Sequence, residues 1–280
     1  MIVFFNGAFL PEAEAVVPLS DRGFLLGDGL FETVRVAGGK PFRFAQHMER
    51  LAAGADFLKI KLPFNPVELQ KFAGKLIALN RLPESVLRLT LTRGSGVRGY
   101  STKGANNPVL AMTLHPLPPS NALPWNLITS SLRIPAGDPL GAFKTTSKVL
   151  NVLARAEAEA GGADEALLVN TSGEVMEAAG GNIFWISCGQ VCTVPVGRGA
   201  LPGVTRAVVF EICEQLGLKI SEFFAAPEHL RQAEGLFVTQ TVLGIVPVIT
   251  LDHIPIASSP LVDQVVHAYG KIVRGETGGF

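Results

Sequence analysis

Residues 144–182 read KTTSKVLNVLARAEAEAGGADEALLVNTSGEVMEAAGGN, an order of patterns that predicts a helix followed by two strands connected by a turn. Apolar residues recur at helical spacing after the lysine, at Val149, Leu150, Leu153, Ala156 and Ala160. This spacing predicts that Lys144 lies at a helix entrance. Partial desolvation and the positive end of the helix dipole favour loss of a proton there, so we expect its amine to act as a nucleophile toward a carbonyl group.

Glu177 follows the second predicted strand and enters the small-residue run AAGG, which leaves room for a flat ring. A carboxylate beside the ring nitrogen of pyridoxal phosphate keeps that nitrogen protonated, so the ring can accept electrons from a substrate carbanion. Lys144 and Glu177 are therefore the two groups that a pyridoxal-phosphate enzyme needs. From their spacing alone, one lysine and one glutamate are more often ordinary surface residues.

The composition limits the class of protein. The 280 residues exceed one average domain, and 48% of them are hydrophobic, which is enough for a large core. The 24 basic and 24 acidic residues balance, so neither nucleic acid nor an anionic membrane is expected as a partner. The N-terminus shows no positive leader and no apolar run reaches membrane-spanning length, so we predict a cytoplasmic protein.

Cysteine and histidine usage indicates neither disulfides nor a metal centre. The chain has 3 cysteines, an odd number, and is long enough to fold without disulfides, so we expect reduced and mostly buried thiols. The 5 histidines show no ligand spacing around the cysteines. We therefore predict no metal.

Strand and helix patterns alternate along the whole chain. A hairpin at residues 2–11 comes first, then two strand-like runs, LFETVRV and PFRF, around the turn AGGK, and two helices at residues 45–60 and 66–80. The proline-rich segment PLPPSNALP at residues 116–124 predicts an interdomain linker. The pattern therefore predicts an α/β fold with a small N-terminal domain over residues 1–115 and a larger C-terminal domain over residues 125–280.

The loop TRGSGVRGY lies between two predicted strands and carries Arg93, Arg98 and Tyr100. Guanidinium groups pair bidentately with carboxylates, so two arginines on a glycine-rich turn suit a carboxylate clamp. Solvated loop arginines are the more common alternative.

A candidate phosphate site lies where the loop LPG leads into the next predicted helix. The first backbone amides of such a helix have no internal acceptor, so Gly203, Val204 and Thr205 form a natural phosphate cup. Gln240 and Thr241 lie at the turn of the strand, turn and strand pattern GLFVTQTVLGIVPV, where a hydroxyl and exposed amides can close the cup from a second side. Ordinary helix-start and turn chemistry is the alternative for both segments.

These motifs together resemble the class IV aminotransferase family, the fold type IV enzymes that bind pyridoxal phosphate. In that family a lysine precedes a segment like VLARAEA, and the element E-x-x-x-x-N-hydrophobic-F follows, here from Glu177 through Asn182 to Phe184. The match extends in family order from DRGFLLGDGLFET to FVTQTVLGIVPV. The resemblance implies a two-domain enzyme with pyridoxal 5'-phosphate at the domain boundary. It also implies a homodimer whose subunits complete each other's active sites.

The resemblance also assigns roles to single residues. Lys144 looks like the Schiff-base lysine, ahead of the competing Lys148, and Glu177 like the partner of the pyridine nitrogen. Arg50, in HMERL, resembles the phosphate arginine. The other cofactor contacts implied are Asn182, Gly203, Val204, Thr205, Gln240 and Thr241. The substrate contacts implied are Phe31, Glu32, Arg98 and Tyr100, the last two reached from the partner subunit.

Within the family, the phrases TRGSGVRGYS, GDGLFET and ADEALLV most resemble aminodeoxychorismate lyases of folate biosynthesis. Such an enzyme releases pyruvate and 4-aminobenzoate from 4-amino-4-deoxychorismate, with the lysine as general base. The alternative is an aminotransferase that acts on D-amino acids or branched-chain amino acids with a 2-oxo acid acceptor. A catalytically silent dimer that binds a phosphate ligand is a third interpretation, disfavoured because both Lys144 and Glu177 are present.

Overall fold

The computed structural model describes residues 1–118 and 124–278, without the side chain of Arg198. The predicted linker, residues 116–124, therefore lies mostly outside the described residues. The chain divides into two compact units. The first comprises Met1–Pro119, Phe143–Lys148 and Val273–Phe280, and the second comprises Ser120–Ala142 and Val149–Ile272.

The first unit is built on one antiparallel sheet with the strand order β2-β1-β6-β5-β3-β4. Its strands are β1 (Ile2–Phe5), β2 (Ala8–Pro11), β3 (Gly29–Ala37), β4 (Lys40–Pro41), β5 (Ser85–Thr92) and β6 (Val109–Pro116). Its helices are α1 (Arg22–Leu26), α2 (Phe44–Leu58) and α3 (Pro66–Asn80).

Local sequence signals explain several of these boundaries. The hairpin of β1 and β2 turns at Asn6 and Gly7, both with positive φ, as a tight Asn-Gly turn requires. The α3 helix begins with a capping box in which Asn65 and Glu68 satisfy each other's backbone amides. The predicted strand PFRF is wrong beyond Pro41, because Arg43 adopts a left-handed conformation and α2 begins at the next residue.

The core of the first unit lies on one face of its sheet. Leu30, Val34 and Val36 of β3 are buried in one cluster with residues of α2 and α3. Successive strand residues point to opposite faces, so Phe31 lies on the other face, together with half-buried residues of β5 such as Arg88. One face of β3 therefore packs in the core, and the other face is only partly buried.

The second unit contains a mixed sheet of nine strands in the order β12-β11-β10-β13-β14-β7-β8-β9, with β15 paired to β14. Its strands are β7 (Trp125–Ile134), β8 (Glu165–Asn170), β9 (Val175–Ala178), β10 (Asn182–Ser187), β11 (Gln190–Thr193), β12 (Ile220–Glu222), β13 (Gly235–Gln240), β14 (Gly244–Leu251) and β15 (Ile254–Pro255). The remaining helices are α4 (Val149–Ala160), α5 (Val204–Leu216), α6 (Pro227–Arg231) and α7 (Pro260–Thr277).

The helix α4 does not bury the apolar residues that recur at helical spacing in its sequence. Ala154 and Ala158 are its buried residues, whereas Val149 and Leu153 are 69% and 53% exposed. The small alanines and the partly buried Leu150 pack in a cluster with Ala166 and Leu168 of β8, whereas Val149 and Leu153 stay exposed. Sheets and helices are present in both units, and the predicted α/β class is confirmed.

Candidate active site

Lys144 lies on a short extended segment that pairs with the start of β3. Its carbonyl oxygen accepts a hydrogen bond from the Phe31 amide at 2.9 Å, and Thr145 forms an antiparallel bridge with Leu30. Because α4 begins only at Val149, the prediction that Lys144 lies at a helix entrance is wrong, and the helix dipole is no reason for a reactive amine. The extended segment instead directs the Lys144 Nζ to 4.5 Å from the centroid of the Phe31 ring.

Arg88 is a further cation at the same ring, and the sequence patterns did not indicate it. Its guanidinium carbon lies 3.8 Å from the Phe31 ring centroid, because β5 pairs with β3 and places Arg88 opposite Thr33. Partial burial lowers the pKa of Arg88, but an arginine stays charged at neutral pH. Among the described residues no carboxylate pairs with it. The available signal was an arginine in the middle of the strand pattern VLRLTLT.

Glu32 lies on the opposite face of β3, in a buried cluster with His47 and Arg50 of α2. Arg50 Nε donates to Glu32 Oε1 at 2.8 Å, and Arg50 Nη2 donates to Oε2 at 2.7 Å. His47 Nδ1 lies 2.7 Å from Oε2 and carries the proton of this contact, because a carboxylate only accepts. Glu32 is 1% exposed. Neighbouring strand residues alternate between faces, so Glu32 and Phe31 point to opposite faces of β3, and the predicted contact of Glu32 with a substrate stays a prediction.

Burial and the neighbouring charges set the ionisation of this cluster. Burial alone would raise the pKa of Glu32, but the hydrogen bonds and charges of Arg50 and His47 bring it below its ordinary value. Burial lowers the pKa of His47, the hydrogen bond and charge of Glu32 raise it, and the positive charges of Arg50 and Lys144 lower it, so that it stays below its ordinary value. The cluster therefore favours an ionised glutamate, which accepts a hydrogen bond from His47 and orients the guanidinium of Arg50.

The two arginines of the glycine-rich loop after β5 differ in burial: Arg93 is buried and Arg98 is exposed. Arg93 is 7% exposed and pairs with Asp28 at 2.7 Å, so it anchors the strand end and does not belong to the expected carboxylate clamp. Arg22 donates to the carbonyl groups of residues 99–101 and thereby holds the loop. Arg98 and Tyr100 are exposed, Tyr100 by 89%, and their predicted contact with a substrate stays a prediction.

In the second unit, Glu177 comes together with residues far along the chain. Its Oε2 atom accepts a hydrogen bond from the Leu201 backbone amide at 3.0 Å. The same atom lies 3.5 Å from the side-chain Nδ2 of Asn182. Asn182 in turn donates to the Leu201 carbonyl at 2.8 Å. The β9 and β10 strands thus bring the predicted Glu177 and Asn182 to the loop that enters α5.

The N-terminus of α5 has the properties of an anion site. Gly203 is its N-cap and supplies no side-chain cap, and the first amides of a helix have no intrahelical acceptor. A Cβ atom on Gly203 would lie 2.0 Å from Asn182 Oδ1, so the glycine permits this close approach. Val204 and Thr205 form the first turn and are 7% and 4% exposed.

Gln240 and Thr241 lie near this region along the sheet. Gln240, predicted at the turn, is the last residue of β13, whereas Thr241 opens the turn to β14 as predicted. Because β13 pairs with β10, the end of β13 lies next to Asn182. An uncapped helix start, a glutamate bound to the adjoining loop and a nearby hydroxyl fit a flat ring that carries a phosphate group.

The described residues offer neither a membrane span nor a metal centre. No helix among them has the length and apolar character needed to cross a membrane. Within the same part of the chain, no group of three or more histidine, cysteine, aspartate or glutamate side chains could hold a metal ion.

Comparison with known sequences places the chain among related enzymes. Residues 29–251 match the family described as amino-transferase class IV. A putative branched-chain-amino-acid aminotransferase of Methanocaldococcus jannaschii is 34% identical over 254 residues, covering 90% of this chain and 88% of that protein. The D-alanine aminotransferase of Bacillus licheniformis is 29% identical over 283 residues, covering 99% of each. The aminodeoxychorismate lyase of Bacillus subtilis is 28% identical over 257 residues, covering 90% of this chain and 87% of that protein.

Solved structures show the same architecture. A branched-chain aminotransferase from Thermoproteus uzoniensis with norvaline has a TM-score of 0.94 and 27% identity, covering 98% of this chain and 95% of that chain. A branched-chain amino acid aminotransferase from T.th., solved with pyridoxamine 5'-phosphate, has a TM-score of 0.91 and 28% identity, covering 98% of this chain and 94% of that chain.

Proposed function

Because the chain belongs to the class IV aminotransferase family, whose enzymes use pyridoxal phosphate, we propose that it transfers an amino group between an amino acid and a 2-oxo acid. The predicted family, enzymatic character and cofactor are confirmed at this level. The observation that carries the proposal is the arrangement at Phe31, where an amine and a guanidinium share one aromatic ring.

The cofactor, when bound, supplies an electron sink for the carbanion that forms at the substrate. Lys144 would hold the cofactor covalently and, once released, carry the proton between substrate atoms. Glu177 would keep a proton on the ring nitrogen. The amides of Val204 and Thr205, with the side chain of Thr241, would bind the phosphate.

Arg88 supports substrates that carry a second carboxylate besides the one of the amino acid or 2-oxo acid group. It lies half-buried on the Lys144 face of β3, and among the described residues it makes no hydrogen bond or ion pair. A guanidinium in that position favours a carboxylate, and Phe31 offers an apolar surface to the alkyl part of a side chain. We therefore propose that the substrates include glutamate and 2-oxoglutarate.

The second candidate activity is the lyase reaction, and the segment of residues 92–101 favours it. Its sequence TRGSGVRGYS most resembles aminodeoxychorismate lyases. Its last residues are held by Arg22, so Arg98 and Tyr100 are presented to solvent on a fixed backbone. In this reading, Lys144 removes the ring proton and pyruvate leaves as the ring becomes aromatic.

We also propose a homodimer in which Arg98 and Tyr100 reach the partner's substrate. Exposed apolar side chains support this assembly, because burial against a second subunit would remove them from water. They are Phe24, Leu25, Leu26, Val149, Val152 and Leu153. The molar mass from light scattering tests it, and a monomer at micromolar concentration would contradict it.

A paired assay tests the activity. One reaction contains purified, cofactor-loaded protein with L-glutamate, L-leucine or D-alanine in turn and a 2-oxo acid, and product amino acids are measured. The other contains 4-amino-4-deoxychorismate, generated in place, and release of 4-aminobenzoate is followed by fluorescence. Amino transfer without 4-aminobenzoate release supports the first candidate, and the reverse supports the lyase. Protein that neither becomes yellow with pyridoxal phosphate nor reacts in either tube would refute both.

A further inference from the structure

Thr239, on β13, has a buried hydroxyl group without a partner. The residue is 1% exposed, and its Oγ1 atom makes no hydrogen bond among the described residues. Most buried polar side-chain atoms in proteins are hydrogen-bonded, because losing water without a replacement costs free energy. By contrast, the equally buried Thr193 on β11 donates to the Ile183 carbonyl at 2.8 Å. The hydroxyl of Thr239 is therefore a donor without an acceptor in the described part of the chain.

The sheet register places this hydroxyl beside the start of α5. Thr239 is the direct antiparallel partner of Asn182, so the two side chains lie on the same face of the sheet. Asn182 donates to the Leu201 carbonyl, and its Oδ1 atom occupies the space where a Gly203 Cβ would be. The side chain of Thr239 thus adjoins the residue that abuts the N-cap of α5.

Two independent features therefore converge on one region. The first turn of α5 offers uncapped amides and the positive end of a helix of 13 residues. Thr239 of β13 adds a buried hydroxyl donor, and α5 packs against this strand. The backbones of Gly181 and Thr239 also approach each other closely, because a Cβ on Gly181 would lie 2.4 Å from the Thr239 carbonyl oxygen. This crowding fixes the position of Thr239.

We propose that the Thr239 hydroxyl donates a hydrogen bond to the phosphate group held at the first turn of α5. The inference rests on the proposed binding of pyridoxal phosphate and adds a phosphate contact to it. A hydrogen bond to a charged acceptor in a dry site is stronger than one between neutral groups. The hydroxyl therefore destabilises the cofactor-free chain and strengthens binding of the phosphorylated cofactor.

The test uses the variant Thr239→Val, which keeps the shape of the side chain and removes the hydroxyl. Dissociation constants for pyridoxal phosphate and for pyridoxal, which lacks the phosphate, are measured by absorbance, and Tm is measured on the cofactor-free chain. We expect pyridoxal phosphate to bind at least about ten-fold more weakly and pyridoxal to bind unchanged. The Tm of the cofactor-free variant should be equal to or higher than that of the wild type.

Two variants serve as controls. Thr239→Ser keeps the hydroxyl and should retain the wild-type preference for pyridoxal phosphate over pyridoxal. Thr193→Val leaves the Ile183 carbonyl without its donor, so it should lower Tm and leave that preference unchanged.

The outcomes separate this inference from the proposed function. If Thr239→Val lowers Tm as Thr193→Val does and keeps the wild-type preference, the hydroxyl has a structural role and the inference is wrong. If Thr239→Val weakens both ligands equally, the contact is not with the phosphate and the inference is also wrong. If the wild-type chain itself binds neither ligand, the proposed function fails.

Discussion

Replacing Glu32 with glutamine should lower the free energy of unfolding by about 3 kcal/mol, because it leaves a buried arginine without its counter-charge. Arg50 donates two hydrogen bonds to this carboxylate, and the side chains of Arg50 and Glu32 are 8% and 1% exposed. An amide group offers only one oxygen, so at least one donor of the cluster loses its acceptor. In a chain of 280 residues, about 3 kcal/mol corresponds to a Tm lower by roughly 6–12 °C.

The measurement is thermal unfolding of the wild type and the Glu32→Gln variant, with and without pyridoxal phosphate. The matched control is Glu159→Gln, which removes an ion pair to Arg155 at a glutamate whose side chain is 62% exposed. That surface pair should contribute less than about 1 kcal/mol. A Glu32→Gln variant as stable as the Glu159→Gln variant would refute the inference that the buried Arg50 depends on the Glu32 carboxylate for its counter-charge.

The same cluster predicts how stability depends on pH. The pKa of Glu32 is lowered in the folded chain, so its contribution is present above the unfolded pKa and is lost as pH falls through the folded pKa. The lowered pKa of His47 acts in the same direction, because the unfolded chain takes up a proton below pH 6.5 before the folded chain does. The stability difference between wild type and Glu32→Gln should therefore narrow in acid. A difference that widens instead would contradict this assignment.

Three further predictions concern the cofactor and the substrate. Lys144→Ala should abolish covalent retention of pyridoxal phosphate after borohydride reduction, measured by mass spectrometry, and Lys148→Ala should preserve it; reversed results would move the attachment site. Arg88→Gln should raise KM for 2-oxoglutarate about ten-fold and leave KM for a monocarboxylic 2-oxo acid unchanged, whereas an equal rise for both would argue against a carboxylate contact. Gly203→Ala should weaken cofactor binding, since its Cβ would displace a side chain 2.0 Å away, whereas Gly197→Ala, with nothing within 4 Å, should bind normally.

The chain sequence was most informative where local patterns repeat. The helix predicted at residues 66–80 matches α3, because an Asn-Pro start and a glutamate three residues after the cap form a capping box. The strand pairs around the glycine turns were predicted for similar reasons. The family was identified from motifs in a fixed order, and the match over residues 29–251 confirms it. Such signals depend on neighbours in sequence, so they can be read without a fold.

The errors arose where distant segments meet. Lys144 was expected at a helix entrance, but pairing with β3 holds it in an extended segment. Arg93 was expected in a carboxylate clamp, but its carboxylate partner is Asp28 within the same unit. Glu32 and Phe31 are neighbours in the family motif, but strand alternation and the packing of α2 place Glu32 in a buried cluster and Phe31 on the other face of β3, which the sequence alone did not indicate.

The amino-acid order alone was enough to indicate the α/β class, the family, the cofactor and the candidate lysine, because each leaves a short and characteristic pattern in the chain. Arg88 at the Phe31 ring, the Glu32 cluster and the unpartnered hydroxyl of Thr239 became visible only in the folded chain. Each of them depends on strand register or helix packing between residues far apart in sequence. Burial and the satisfaction of hydrogen bonds are properties of that packing, so no local pattern encodes them.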